Sequence, residues 1–95
     1  MYARLVRFSF GAGGAGKVQA LANDLVPLIN AQPGCQTVAV FGDDADGETG
    51  IFVLWDTQEH ADDAAAVVRP KLNEHLAGNV QDPPDARLFE VATPR

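Results

Sequence analysis

Two short apolar runs separated by a polar segment constrain the fold more than any other feature of the chain. The runs are residues 38–41 (VAVF) and 51–55 (IFVLW). Both are rich in β-branched and aromatic side chains, which favour strands. The segment between them, residues 42–50, is rich in glycine and acidic residues and is too short to hold a crossover helix. The two strands must therefore pair antiparallel, as a hairpin.

The remaining segments predict two further strands and two helices around this hairpin. Residues 2–10 and 86–91 have the composition and alternation of strands. Apolar side chains recur at helical spacing in residues 15–31, and Pro27 within this segment predicts a kink.

The second helix is predicted to begin at the sequence DTQE, residues 56–59. This sequence resembles a capping box, with Asp56 or Thr57 as the cap and Glu59 reaching back. Pro70 predicts that the helix is broken or redirected, with a further turn or two over residues 71–76.

The resulting order is β-α-β-β-α-β. Right-handed crossovers and a central hairpin convert that order into an α+β, ferredoxin-like fold, a four-stranded antiparallel sheet with two helices on one face. We expect residues 1–95 to form one such domain, because a chain of this length has no room for a second core.

The two central strands are apolar on both faces, although two helices can cover only one face of a sheet. An uncovered apolar sheet would exceed the patch of a few hundred Å² that soluble monomers tolerate. The simplest cover is the same sheet from a second copy, which predicts a C2 homodimer with the sheets face to face. The alternative is a monomer whose loops or C-terminal tail, residues 93–95, cover that face.

Charge and composition exclude several classes of partner. Thirteen acidic residues against seven basic ones give a net charge of −6, which argues against binding to nucleic acid or to anionic lipid. The longest apolar runs are far shorter than the roughly 20 residues that span a bilayer. A single cysteine, Cys35, and an N-terminus without the pattern of a signal peptide make a cytoplasmic location the expectation.

The glycine-rich segment GAGGAGK, residues 11–17, matches two phosphate-binding patterns. Position 18 is valine, however, where a Walker loop needs serine or threonine to hold magnesium. A chain of 95 residues also lacks the doubly wound sheet that such loops serve. We therefore interpret the segment as a flexible connector and do not expect nucleotide binding.

The residue types that usually hold metals or act as nucleophiles are sparse and unclustered. His60 and His75 lack the i, i+4 spacing of a helical metal pair, and the acids of residues 43–48 do not follow a calcium-loop order. Cys35 is predicted to be a small buried apolar residue rather than a nucleophile, because neither histidine is near it in sequence. We expect neither a metal nor a cofactor.

Trp55 is the only tryptophan and ends the third strand, just before an alanine-rich helix. It is either a core aromatic at the end of the sheet or one wall of a ligand cavity opposite the small residues 64–66 (AAA). Arg4 and Arg7 lie on a strand that is otherwise mostly apolar. Each is either a member of an interface ion pair or a handle for an anionic ligand.

Two short stretches resemble one known family. The sequence QPGC of residues 32–35 and the sequence WDT of residues 55–57, followed by Glu59, are similar to the antibiotic biosynthesis monooxygenase-type domain of the dimeric α/β-barrel superfamily. The resemblance implies a homodimer whose sheets pack into a barrel. It also implies a ligand cavity between each sheet and its own helices, with Trp55 in its lining.

The same resemblance implies a class of activity. Members include cofactor-independent oxygenases of phenolic polyketides and haem-degrading enzymes that use an asparagine on the first strand and a histidine on the second helix. Val6 and one of residues 64–66 occupy the matching positions, which argues against haem degradation. We therefore expect a cofactor-independent monooxygenase-type protein for a small aromatic or polyketide-like substrate, whose carbanion would itself reduce O2.

The candidate site follows from this expectation. Trp55 is the predicted hydrogen-bond donor to the developing oxyanion, and His75 or Asp24 is the predicted base. The predicted substrate pocket consists of Val6, Phe8, Leu25, Val53, Trp55 and Ala65. Because no recognisable acid–base pair is present, a non-catalytic dimeric ligand-binding or accessory protein of the same fold is the alternative.

Overall fold

The computed structural model describes residues 1–80 and 82–92 and confirms the predicted order of elements. The predicted C-terminal tail, residues 93–95, lies outside the described residues. The four strands form one antiparallel sheet in the order β2-β3-β1-β4. The elements are β1 (Tyr2–Ser9), α1 (Ala15–Asn30), β2 (Cys35–Gly42), β3 (Glu48–Trp55), α2 (Gln58–Leu76) and β4 (Asp85–Glu90).

The β2–β3 hairpin is tighter than its composition indicates, because β3 begins at Glu48, inside the segment predicted to be a loop. The ladder continues beyond the apolar run, with Gly42 opposite Thr49. The hydroxyl of Thr49 is buried and donates to the carbonyl oxygen of Gly47 at 3.0 Å. Gly47 has φ +74°, a conformation that glycine adopts without strain. Pairing of polar residues therefore extends the strand into the turn.

Helix α2 runs without interruption through Pro70, so the predicted break there is wrong. Proline removes one backbone hydrogen bond, but the ring of Pro70 is exposed and meets no packed neighbour. Leu72 and Leu76 are buried beyond it and hold the second half of the helix against the core. Helix α1 is likewise continuous through Pro27.

The start of α2 uses one of the two predicted caps. Thr57 is the N-cap, and its hydroxyl accepts a hydrogen bond from the backbone N–H of His60 at 3.1 Å. Asp56 instead lies beside the imidazole of His60, with Oδ1 2.7 Å from Nδ1. His60, which has no metal-binding partner in the sequence pattern, thus forms an ion pair with Asp56.

The hydrophobic core lies between the sheet and the two helices, which pack on the same face. Helix α1 buries large side chains, whereas the first half of α2 buries only Ala61 and Ala64. Because alanine fills little volume, this half of α2 packs less tightly against the sheet than α1 does. The buried apolar residues are Val6, Phe8, Phe10, Leu21, Leu25, Ile29, Ile51, Val53, Trp55, Ala61, Ala64, Leu72 and Leu76.

The opposite face of the sheet is also apolar. Leu5 pairs with Phe52 at its centre, and Phe41 lies beside Gly50, where a Cβ would collide with the phenyl ring. Phe41 and Phe89 are 51% and 39% exposed. Neither α1 nor α2 covers this surface, which we call the open face, defined by Ala3, Leu5, Ala39, Phe41, Phe52, Leu54 and Phe89. In the described ranges no helix has the length and apolar content needed to cross a membrane.

Candidate functional site

A cavity of about 230 Å³ lies between α2 and the helix-facing side of the sheet. The strands contribute five apolar side chains to it, and the alanine-rich half of α2 forms the facing wall. The cavity exists because the alanines leave volume that larger side chains would fill. Its apolar lining residues are Val6, Ile29, Ile51, Val53, Trp55, Ala61, Ala64, Ala65, Val68, Leu72, Pro84 and Ala86.

The helical wall follows from sequence spacing. Residues 61, 65, 68 and 72 succeed one another by three or four positions, so their side chains share one face of α2. Arg69 and Asn73 follow Ala65 by one and two turns on the same side and add polar groups to the lining. The sequence interpretation did not include these two residues, although their spacing from Ala65 is the signal that identifies them.

Trp55 lines this cavity and is only 3% exposed. Its neighbours across the sheet are Tyr2 on β1 and Cys35 on β2. Within the described ranges the indole Nε1 makes no hydrogen bond, yet no buried side-chain donor there is sealed away without a partner. A ligand oxygen in the cavity could therefore accept a hydrogen bond from this N–H.

Four of the six residues predicted for the pocket line this cavity: Val6, Val53, Trp55 and Ala65. Leu25 does not, because it is completely buried in the core. Phe8 lies farther along β1 and lines a separate polar groove with Glu48 and Asn79. The ring of Phe8 packs edge-on against that of Phe10, 5.3 Å away, at that end of the sheet.

His75 and Asp24, the two predicted bases, contact each other. Nε2 of His75 lies 2.7 Å from Oδ2 of Asp24, which joins the last turn of α2 to α1. Neither residue is part of the cavity lining. A role in proton transfer for this pair stays a prediction, and the lining of the cavity offers no support for it.

The two arginines of β1 point to opposite faces of the sheet. Arg4 lines the cavity, and its Nη2 lies 3.2 Å from Oδ1 of Asp62 on α2. Arg7 lies on the other face, with Nη2 2.7 Å from Oε1 of Glu48. Of the alternatives that the sequence left open, contact with a cavity ligand is thus possible for Arg4 and not for Arg7.

A carboxylate from elsewhere in the chain lies at the glycine-rich connector before α1. The carboxylate of Asp44, from the β2–β3 turn, accepts from the backbone N–H of Ala15 at 3.2 Å. The backbone oxygen of Asp44 also accepts from Gly13 at 3.2 Å. A negative charge at a helix N-terminus is favourable, but it occupies and repels the position that a phosphate would take. This contact supports the interpretation of the segment as a connector.

Cys35 and the pair formed by His60 and Asp56 also lie outside the cavity lining. Cys35 is half-buried rather than buried, and desolvation raises the pKa of its thiol, which opposes thiolate chemistry. The hydrogen bond between His60 and Asp56 raises the pKa of the histidine and lowers that of the carboxyl. Gly34, at φ +84°, lies directly against this pair, and a Cβ there would collide with Oδ1 of Asp56.

No protein-family model matches the chain, and no curated protein matches it in sequence. Solved structures do match. A protein from Nitrosomonas europaea, provisionally assigned as an antibiotic biosynthesis monooxygenase, is 12% identical with a TM-score of 0.82, and the match covers 98% of this chain and 100% of that one. A protein from Deinococcus radiodurans with the same provisional assignment is 20% identical with a TM-score of 0.78, covering 100% and 96%.

A third similar structure is SnoaB, a cofactor-independent oxygenase from Streptomyces nogalater. It is 16% identical with a TM-score of 0.76, and the match covers 98% of this chain and 94% of that one. Since these matches span nearly the whole of each chain, the likeness extends to the complete architecture. The chain therefore has the fold of the antibiotic biosynthesis monooxygenase-type structures.

Proposed function

We propose that this protein binds a small aromatic molecule in the cavity beside Trp55 and oxidises it with O2 without a cofactor. The observation that carries the proposal is the cavity itself, which is walled by apolar side chains and offers one indole N–H. An apolar cavity of about 150 Å³ stays dry and accommodates benzene. A volume of about 230 Å³ therefore suits one substituted ring or two fused rings.

The reaction would draw its electrons from the substrate. An ionised phenol or naphthol reduces O2, one oxygen atom enters the ring as a quinone carbonyl, and the other leaves as water. The protein would contribute a water-poor site and a hydrogen bond from Trp55 to the developing oxyanion. Because the described residues of the lining include neither carboxylate nor imidazole, the favoured substrates are those acidic enough to ionise without a protein base.

We also propose that the functional unit is a homodimer joined through the open face. The support is the row of apolar side chains there, with Phe52 and Leu5 paired at its centre and Phe41 half-exposed. A second copy of the same sheet would cover this face with an equally apolar surface, in a two-fold arrangement. The cavity lies on the other side of the sheet, so the two proposals can be tested separately.

Oxygen uptake tests the oxygenase proposal. A panel of phenols and naphthols is assayed at an oxygen electrode with the wild type, with Ala65→Leu and with Trp55→Phe. Leucine at position 65 fills the cavity, so uptake should fall to background. Phenylalanine at position 55 removes the N–H together with part of the indole's volume and should slow the reaction roughly 10- to 100-fold.

The matched control is Ala66→Leu, which adds the same side chain at the neighbouring, exposed position of α2. It should leave oxygen uptake unchanged. Uptake at background for every compound with the wild type, or an equal loss in Ala65→Leu and Ala66→Leu, would refute the proposal.

The second candidate function is a non-catalytic ligand-binding or accessory protein. It is favoured by one specific observation, the absence of Asp, Glu and His from the cavity lining in the described part of the chain. A single experiment distinguishes the two functions. Calorimetric binding of an aromatic compound, abolished by Ala65→Leu but unaccompanied by oxygen uptake, would favour the binding protein.

A further inference from the structure

We infer that the ligand of this cavity is a small aromatic carboxylate, whose ring lies against Trp55 and whose anionic group is bound by Arg4 and Arg69. The inference rests on the proposed ligand-binding role of the cavity. It does not depend on the oxygenase reaction.

The described lining of the cavity is positively charged, although the protein as a whole is negatively charged. The chain carries thirteen acidic and seven basic residues, for a net charge of −6. The described lining nevertheless contains two arginines and no carboxylate, with Asn73 as the other strongly polar side chain. Binding of a neutral hydrocarbon does not require two guanidinium groups in the lining of the cavity, whereas binding of an anion does make use of their charge.

Arg4 approaches the cavity from the sheet. Its side chain is 21% exposed, whereas Asp62, its partner at 3.2 Å, is 59% exposed. A carboxylate so well solvated screens the arginine only weakly, but it holds the guanidinium in one orientation. The single contact to Asp62 uses one of five N–H donors, so others remain for a ligand on the cavity side.

Arg69 approaches the cavity from α2. It is exposed, it lies one turn beyond Ala65, and it forms no ion pair within the described ranges. Its long side chain can therefore reach a ligand at the solvent-facing edge of the cavity without first breaking another contact. Arg4 and Arg69 thus present positive charge from two different elements toward the same space.

This arrangement fits a ligand that has an aromatic ring at one end and an anionic group at the other. The ring would lie among Trp55, Val53 and the alanines, while the planar guanidinium groups match a carboxylate through paired N–H donors. The volume of about 230 Å³ limits the ring system to one or two fused rings.

The test compares two probes of equal shape by isothermal titration calorimetry on the full chain: 2-naphthoate and the neutral 2-naphthamide. The wild type should bind the acid at least 10-fold more tightly than the amide. Arg69→Gln should weaken binding of the acid about 10-fold and leave the amide unaffected. Arg4→Gln should do the same, and circular dichroism checks that it is folded.

Lys71→Gln is the matched control. It removes a cation from the same helix, two residues beyond Arg69, but Lys71 pairs with Glu74 and does not line the cavity. Its affinity for the acid should stay within about 2-fold of the wild type, because exposed charges outside the site are screened by salt. Equal affinities for acid and amide, no binding of either, or an equal loss in Lys71→Gln and Arg69→Gln would overturn the inference.

The outcome is separable from that of the oxygenase proposal. Tight, arginine-dependent binding of the acid without oxygen uptake by any compound would sustain this inference and refute the oxygenase. Oxygen uptake with neutral phenols, together with equal affinities for 2-naphthoate and 2-naphthamide, would sustain the oxygenase proposal and refute this inference.

Discussion

At the scale of single residues, Asp56 and His60 form the clearest electrostatic contact outside the cavity. Oδ1 and Nδ1 are 2.7 Å apart at the start of α2, and the turn containing Gly34 lies against them. The backbone N–H of Asp56 donates to the carbonyl oxygen of Gly34 at 3.0 Å. The pair therefore joins the end of β3 to the connection between α1 and β2.

The pair should make folding stability depend on pH within a defined window. The pKa of His60 is raised from 6.5 by its hydrogen bond to Asp56, so its contribution is complete below pH 6.5 and is lost as pH rises through the folded-state value. The pKa of Asp56 is lowered from 3.8 by the same bond, so its contribution is present above pH 3.8 and is lost as pH falls through the folded-state value.

The variant Asp56→Asn tests this expectation by chemical denaturation at several pH values. The free energy of unfolding of the wild type should exceed that of the variant most between pH 3.8 and 6.5, with a smaller difference on either side. Glu90→Gln, an exposed carboxylate at the end of β4, is the control and should show no such window. A difference that is constant with pH would contradict a contribution from the ion pair.

At the scale of elements, the contrast between the two helices decides where the cavity lies. Helix α1 fills its side of the core with Leu21, Leu25 and Ile29, while α2 places alanines over the sheet. Helix α2 continues through Pro70, and Leu72 and Leu76 are buried beyond the proline. That continuity carries Leu72 and Asn73, which follow the proline, to the same cavity as Ala65.

Replacing Pro70 with alanine should stabilise the protein. Alanine restores the N–H that the helix lacks at this exposed position and has the highest helix propensity, so the free energy of unfolding should rise by about 1–2 kcal/mol. Ala66→Gly, one turn earlier and also exposed, is the reference and should lower it by about 1 kcal/mol. Urea denaturation measures both, and a loss of stability in Pro70→Ala would show that the proline is required by the packing around it.

At the scale of the whole molecule, the sheet divides the chain into two functional surfaces. One face packs on the helices and contains the cavity, and the other is the open face, with Phe52 and Leu54 half-buried and Phe41 exposed. Apolar surface of this kind associates in water unless it is covered. Assembly through the open face would leave the cavity unobstructed in both copies.

Sedimentation analysis tests that assembly. The wild type should sediment at twice the mass of the 10.1 kDa chain at micromolar concentration, and Phe52→Glu should sediment as a monomer, because it introduces a charge at the centre of the interface. Its circular dichroism should be unchanged, since Phe52 points away from the core.

Val67→Glu, an exposed apolar position on α2, is the control and should remain dimeric. A wild type that sediments at the mass of one chain would refute the dimer.

The sequence by itself determined the order of the elements, the antiparallel hairpin and the two-sided apolar character of the sheet. These features depend on periodicity and loop length, which are local properties of the chain. The tertiary structure alone decided that Asp44 caps α1, that His75 meets Asp24 away from the cavity, and that α2 continues through Pro70.

The same division holds for the candidate site. Trp55, Val6, Val53 and Ala65 could be predicted as pocket residues, because strand alternation and helical spacing identify one face of each element. The spacing of Arg69 and Asn73 from Ala65 places them on the same face of α2, but only the structure shows that this face still borders the cavity there, because that depends on how α2 lies across the sheet. Contacts between residues far apart in sequence are set by register and packed volume, which no local pattern contains.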